Sequence, residues 1–156
     1  MRKLNLSDWA SVAEIAGTVA VVISLLFVAF SLERNTTAVS GQTTDDLARE
    51  LSQIDLIVLT NPELMMVTIK GRVDPDGLSE LEREQYKNWA MMYLDVWERM
   101  HHREKEGLIQ PQTIEGWNEY FAEWAKRNLT REIWKEIRWN WPTSDFGDLV
   151  DAALAD

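Results

Sequence analysis

The stretch Ile15-Ala-Gly-Thr-Val-Ala-Val-Val-Ile-Ser-Leu-Leu-Phe-Val-Ala-Phe-Ser-Leu32 decides the fold, because its 18 residues carry no charge. Extended back to Ala10, the run holds 23 residues, of which only Glu14 is charged. At about 1.5 Å per residue, a helix of this length matches the roughly 30 Å hydrocarbon thickness of a bilayer. The sequence therefore predicts one N-terminal transmembrane helix.

A cleaved signal peptide is the competing interpretation of this segment. Arg2 and Lys3 would form its basic start, and Ala38-Val39-Ser40 resembles a cleavage site of small residues. However, the apolar run is longer than the roughly 7–15 residues of a signal peptide's apolar region, and it ends at Leu32, six residues before Ala38. These two features favour an uncleaved anchor.

The remaining chain is acidic. Residues 33–156 hold 24 acidic and 14 basic residues and so account for the whole formal charge of -10, which argues against nucleic acid as a partner. The sequence has no cysteine, which excludes disulfides, thiol catalysis, iron–sulfur clusters and thiolate zinc sites. We expect residues 1–34 to form a short tail and the transmembrane helix, and residues 35–156 to form an acidic, Trp-rich helical domain.

The pattern after residue 35 predicts helices only, because no stretch alternates apolar and polar residues over the length of a strand. Helix starts are predicted at Asn61-Pro62, at the capping-box pattern Ser79-x-x-Glu82, at Pro111 and at Thr130. The apolar residues at helical spacing are Leu47, Leu51, Ile54 and Val58, then Leu81, Tyr86, Trp89, Tyr93, Val96, Trp97 and Met100, then Ile114, Trp117, Phe121 and Trp124, then Ile133, Trp134, Ile137 and Trp141. The expected fold is all-α, with one transmembrane helix followed by a small helical bundle. The sequence leaves open whether the first helix continues unbroken past Gly41.

Small residues form a stripe along the predicted transmembrane helix. They are Ala10, Ala13, Gly17, Ala20 and Ser24, at alternating steps of three and four residues. Because lipid provides no hydrophobic drive for helix association, close packing over small residues usually provides it, and this face predicts a helix–helix interface. Glu14 lies beside the stripe. It is expected either to hydrogen-bond across that interface, to line a polar path, or to reach the headgroup region.

The eight tryptophans allow two interpretations. Most stand at core spacings, where each would bury about 200 Å². Alternatively Trp134, Trp139 and Trp141 form a partner surface, since indole rings are enriched at interfaces.

Glu98-Arg99-Met100-His101 places a carboxylate and an imidazole one helical turn apart, as di-iron helix bundles require. Such a site needs a second copy, which two adjacent histidines cannot provide. A mononuclear metal site with a distant acid is conceivable, and a polar patch near a helix end is the simpler interpretation. We therefore expect no metal and no cofactor.

Several short motifs together resemble a widespread group of uncharacterised bacterial proteins with one N-terminal span and a small C-terminal helical domain. The motifs are Glu14 to Leu26 in the span, Glu33-Arg34-Asn35-Thr36, Asn61-Pro62-Glu63-Leu64, Lys70-Gly71, Leu78-Ser79, Gly107-Leu108-Ile109 and Trp117. The resemblance implies a bacterial inner-membrane setting and assigns no catalytic residue.

These features predict a non-enzymatic, membrane-anchored structural or interaction protein. Its partners would be the lipid bilayer and either further copies of itself or other membrane subunits. The alternatives are a metal- or ligand-dependent enzyme or sensor that uses Glu98 and His101, and an oligomeric pore lined by Glu14.

The basic residues that flank the span give little preference for either orientation in the membrane. Arg2 and Lys3 precede it and Arg34 and Arg49 follow it, so the basic residues near its two ends are equal in number. Because Arg2 and Lys3 are adjacent, they favour a cytoplasmic N-terminus.

Overall fold

The computed structural model describes residues 6–142 and 145–155, and this part of the chain is helical with no strand. The six helices are α1 (Leu6–Thr60), α2 (Pro62–Val73), α3 (Glu80–Lys105), α4 (Pro111–Asn128), α5 (Arg131–Ile137) and α6 (Asp145–Ala155). Single 3₁₀ turns follow α2 and α5, at Pro75–Gly77 and Arg138–Asn140. The all-α class predicted from the sequence is confirmed.

The chain divides into two compact units, with the division between Val39 and Ser40. In the first unit, α1 is long and apolar enough to cross a membrane, with a mean hydropathy of 2.5 in its most apolar window. Arg2 and Lys3, on which the predicted orientation depends, lie outside the described residues. Gly41 lies inside α1, so the first helix does not end there.

Side-chain caps begin the helices of the second unit where the sequence predicts them. The Leu64 amide donates to Asn61 Oδ1 (3.2 Å) at the start of α2, and the Ile133 amide donates to Thr130 Oγ1 (3.2 Å) at the start of α5. Both residues thus satisfy amides that have no partner within the helix.

The start of α3 is a complete capping box. The Glu82 amide donates to Ser79 Oγ (3.3 Å), and the Ser79 amide donates to Glu82 Oε2 (2.7 Å). At the other end of α3, Gly107 adopts a φ of 72°, a left-handed conformation that glycine accepts without steric cost. These two signals set the length of α3, which carries more buried core residues than any other described helix.

Helix α2 begins at Pro62, as the sequence predicts, and continues to Val73. The Asp74 amide donates to the Lys70 carbonyl (2.7 Å) and closes a further turn, which includes Gly71. The bare Cα of Gly71 lies against the ring of Tyr86, where a side chain would not fit.

Aromatic rings dominate the core of the second unit. The Tyr93 ring stacks on Trp124 with centroids 4.5 Å apart, and Trp97 stacks on Phe121 at 5.6 Å. The predicted apolar residues on α3 are buried, with one exception. Leu81 is wrong as a core residue: it lies in the first turn of α3 and is 71% exposed.

Polar atoms of the core aromatics are mostly paired. Trp97 Nε1 donates to Asn118 Oδ1 (2.8 Å), and the Tyr86 hydroxyl donates to the Asn128 carbonyl (2.6 Å). These bonds fix the side chains of α3 relative to α4, since a buried donor without an acceptor costs about 1–3 kcal/mol.

Candidate functional site

The predicted helix–helix face is open along α1. Its six residues, Ala10, Ala13, Glu14, Gly17, Ala20 and Ser24, are all exposed. Ser24 Oγ donates to the Ala20 carbonyl (2.9 Å), and the neighbouring Thr18 Oγ1 donates to the Glu14 carbonyl (2.9 Å). These hydroxyl groups are thus satisfied within the helix. A Cβ added at Gly17 would meet no atom of the described residues within 4 Å beyond the helix's own backbone, so none of them covers this position.

The proposed tryptophan surface needs correction. Trp134 and Trp141 are each only 5% exposed and stack on one another with centroids 5.9 Å apart. Trp134 Nε1 also donates to Asp151 Oδ1 (2.6 Å), which ties its ring to α6. Of the three residues, Trp139 alone is exposed, at 72%, so they do not form a common surface.

The structure does not bring Glu98 and His101 together. Glu98 Oε1 lies 3.6 Å from His102 Nε2, four residues on, because residues at i and i+4 share a helix face. His101 turns towards α6, where its Nε2 is 3.5 Å from Asp145 Oδ1 and makes no hydrogen bond with any described residue.

Burial lowers the pKa of His101, and the positive charge of Lys105 lowers it further. Lys105 forms an ion pair with the same Asp145 carboxylate. Among residues 6–142 and 145–155, no group of three or more His, Cys, Asp or Glu side chains is arranged to hold a metal ion. The geometry therefore gives no support to a metal site at Glu98 and His101.

A cavity of about 470 Å³ lies on the other side of Glu98, between α3 and the 3₁₀ turn that follows α5. Its lining residues are Asn88, Met91, Met92, Asp95, Glu98, Asn140 and Trp141. Cavities of about 300–1,000 Å³ are typical of small-molecule sites. We refer to this cavity as the α3 cavity.

The wall of the α3 cavity opposite α3 is held in place. Arg138 donates to the Trp141 carbonyl, to Asp148 Oδ1 (3.1 Å) and to Asp151 Oδ2 (3.0 Å). Trp141 packs on Phe146 with centroids 5.7 Å apart. The segment carrying Asn140 and Trp141 is thus fixed to α6, which keeps the cavity open.

The α3 cavity carries negative charge without a matching cation among its lining residues. Asp95 is half-buried and accepts no hydrogen bond from any described residue, and this burial raises its pKa. Arg99 pairs with Glu50 on α1 at 2.5 Å, and its positive charge also acts on Asp95, where it opposes the rise in pKa. The Glu98 side chain is 26% exposed, and its Oε1 lies 3.6 Å from His102 Nε2.

The side-chain amides that line the α3 cavity also provide hydrogen-bond acceptors. Asn140 Nδ2 donates to the Ile137 carbonyl (2.7 Å), which orients the side chain and leaves its Oδ1 without a donor among the described residues. Met91 Sδ lies 3.4 Å from the same nitrogen. The cavity thus combines acidic and carbonyl oxygens with apolar thioether and indole walls.

Sequence reasoning missed the α3 cavity. Asn88 and Asp95 are seven residues apart, a spacing that puts them on one face of α3, but a polar stripe of this kind is typical of an ordinary solvated face. Asn140 and Trp141 complete the cavity from about 45 residues further along the chain. Only tertiary packing brings them together.

Comparison with protein-family models, curated proteins and solved structures found no match to this chain.

Proposed function

We propose that this chain is a non-enzymatic, single-pass membrane protein of the bacterial inner membrane that works as a structural subunit of a homo-oligomer or of a larger membrane complex. The observation that carries the proposal is the exposure of the apolar side chains of α1. The sequence resemblance described above supports the bacterial setting. The acidic second unit would be a helical bundle that such a subunit displays to its partners.

The hydrophobic effect favours a bilayer around the part of α1 between Trp9 and Leu32. Twelve large apolar side chains between Trp9 and Leu32 are each at least 50% exposed. At about 2 kcal/mol for each such side chain, leaving them in water would cost on the order of 20 kcal/mol. No described residue of the chain covers this segment, so the proposed bilayer is the environment that would provide this stabilisation.

The small residues of α1 support association within the membrane. From Ala10 to Ser24 they extend over about 21 Å of helix at 1.5 Å per residue, which covers most of the hydrocarbon thickness. Another helix could approach closely along this length, with backbones in van der Waals contact. Glu14 would then be sheltered at the interface, where a partner's polar group or another carboxyl group can hydrogen-bond to it.

A pair of substitutions on opposite faces tests the proposed assembly. Ala20 belongs to the small-residue face, whereas Ala29 is turned roughly 180° away from Ala20 at 100° per residue. Ala20→Leu and Ala29→Leu make the same change in bulk and in apolar character. We expect Ala20→Leu, and Gly17→Leu more strongly, to lower the oligomeric mass of the chain in mild detergent, and Ala29→Leu to leave it unchanged.

Native mass measurement on the full chain gives the readout. Purified wild-type chain with a mass above one copy supports self-association, and a larger mass only when it is extracted with its native membrane neighbours supports a hetero-complex. A strictly monomeric wild-type chain under both conditions would overturn the proposal. Equal loss of assembly in Ala20→Leu and Ala29→Leu would show that the small-residue face is not the interface.

A further inference from the structure

We propose that the packing of the first turn of α6 (residues 145–148) on α3 is a pH-sensitive switch, closed while the His101 imidazole is neutral and opened when that ring takes up a proton. The switch lies within the second unit and does not depend on the helix–helix face of the proposed function.

His101 is part of the surface on which α6 begins. Its side chain is only 14% exposed, and its ring centroid lies 6.2 Å from that of Phe146, the second residue of α6. Phe146 is fully buried and also packs edge-on against Trp97 of α3, with centroids 5.5 Å apart. The first turn of α6 is thus held to α3 by contacts between rings, which a neutral imidazole supports.

The buried nitrogen of His101 has no acceptor for a proton. Nε2 makes no hydrogen bond with any described residue, and Asp145 Oδ1 is 3.5 Å away, beyond the roughly 2.7–3.2 Å of a hydrogen bond. In a neutral imidazole Nε2 can be the nitrogen without a proton, whereas in an imidazolium both nitrogens are donors. A buried charged donor without an acceptor is strongly disfavoured, so the protonated ring gains by reaching water.

The charges on α3 around His101 oppose one another. Glu98 and Glu104 favour the imidazolium, whereas Lys105 and His102 oppose it. Burial is the largest of these effects and, together with Lys105, lowers the pKa of His101 below its ordinary value of 6.5.

The carboxylates at the start of α6 do not reverse this direction. Asp145 already forms an ion pair with Lys105, and its side chain is 56% exposed, so the ammonium and the solvent both weaken its attraction for an imidazolium. Asp148, three residues further on, pairs with Arg138 at 3.1 Å.

The direction of the pH dependence follows from this environment. The pKa of His101 is lower in the closed state than in an open state with a solvated ring, so the closed state binds fewer protons. The closed state is therefore favoured above about pH 6.5 and weakens as the pH falls. Opening stays local to the first turn, because Asp151 further along α6 still accepts from Trp134 Nε1 (2.6 Å) and Arg138 Nε (3.0 Å).

Hydrogen exchange of the detergent-solubilised full chain, corrected for the intrinsic pH dependence of amide exchange, tests the switch. The informative amides are those of Leu149 and Val150, which in a helix donate to carbonyls of the first turn of α6. Between pH 7.5 and 5 we expect their protection to fall by about threefold or more, while that of α2 changes little.

Two matched variants identify the titrating group. His101→Phe keeps an aromatic ring against Phe146 but cannot be charged, so the protection of Leu149 and Val150 should not depend on pH in this way. His102→Phe makes the same change at a neighbouring side chain that is 53% exposed, and it should behave as the wild type does. His101→Gln is a second uncharged variant, used if far-ultraviolet circular dichroism shows that His101→Phe is not folded.

Nuclear magnetic resonance of the imidazole nitrogens measures the titration directly. The chain has two histidines, so His102→Gln leaves His101 as the only signal, and we expect it to titrate below pH 6.5. The proposal is overturned if His101 titrates at or above pH 6.5, or if the protection of Leu149 and Val150 does not fall in the wild type. It is equally overturned if the protection falls as much in the uncharged His101 variants, or if His102→Phe removes the fall.

Discussion

Gly71 packs directly against the aromatic core of the second unit. A Cβ placed on it would come within 2.3 Å of the Tyr86 ring, and Tyr86 is fully buried with its hydroxyl bonded to the Asn128 carbonyl. The ring cannot retreat without losing that hydrogen bond. This one contact joins α2 to α3 and, through Tyr86, to the end of α4.

Gly71→Ala should therefore lower the stability of the second unit by about 1–3 kcal/mol, the usual cost of overpacking a core. The measurement is the thermal unfolding midpoint of the detergent-solubilised chain, followed by near-ultraviolet circular dichroism of the core aromatics. Gly116→Ala is the matched control, because a Cβ there meets nothing within 4 Å and alanine is the better helix former by about 1 kcal/mol. A midpoint for Gly71→Ala equal to or above that of Gly116→Ala would contradict the described packing.

Residues of the core could be predicted from the sequence where helical spacing was uninterrupted. Trp97 and Phe121 fall on the apolar stripes of α3 and α4 and are fully buried. Leu81 follows the same spacing but is 71% exposed, so spacing alone does not establish burial in the first turn of α3. No local sequence pattern indicates that Asp95 and Asn140 lie close together, because their shared cavity forms only when the segment after α5 packs near α3.

At the scale of elements, Glu82 joins two helices. Its carboxylate accepts from the Ser79 amide at the start of α3 and from Lys70 Nζ of α2, both at 2.7 Å. The hydrogen bond from Lys70, followed by those from Ser79, lowers the pKa of Glu82 to about 2 from its usual value of 4.5. Ionised Glu82 thus favours the folded state.

The stabilisation by Glu82 should depend on pH in a defined direction. Because the pKa is lower in the folded state, the stabilisation is fully present above about pH 4.5 and is lost as the pH falls towards 2. Glu82→Gln should therefore unfold at a lower temperature than the wild type at pH 7, and the difference in midpoint should shrink between pH 4.5 and 2. Glu119→Gln, an exposed change on α4, should show no such trend. A wild-type advantage that stays constant down to pH 2 would contradict the capping geometry.

Element boundaries were predictable where a side chain or a proline enforces them. Asn61, Ser79, Pro111 and Thr130 all mark helix starts in the structure. Glycine residues predicted helix boundaries less reliably than capping side chains and prolines did. Gly41 lies within α1, whereas Gly107 lies just beyond α3 and has a positive φ. Because glycine accepts both conformations, its presence alone does not mark the end of a helix.

At the scale of the whole molecule, the long uncharged run and most of the acidic residues lie in different compact units. The apolar part of α1 is exposed and is long and apolar enough to cross a membrane, whereas the unit from Ser40 onward has a hydrophobic core of its own. The absence of charge from residues 15–32 and its density afterwards predicted a division after residue 34, and the two compact units divide between Val39 and Ser40. The α3 cavity could not be predicted in this way, because only tertiary structure brings its lining residues together.

The central claim, that α1 remains in the membrane as an uncleaved span, is tested most directly by alkaline carbonate extraction of membranes from bacterial cells producing the full chain, followed by intact mass measurement. We expect the chain to stay in the membrane pellet with its full mass of 18.1 kDa. Release into the supernatant, or a chain shortened by cleavage after Ser40, would contradict the account.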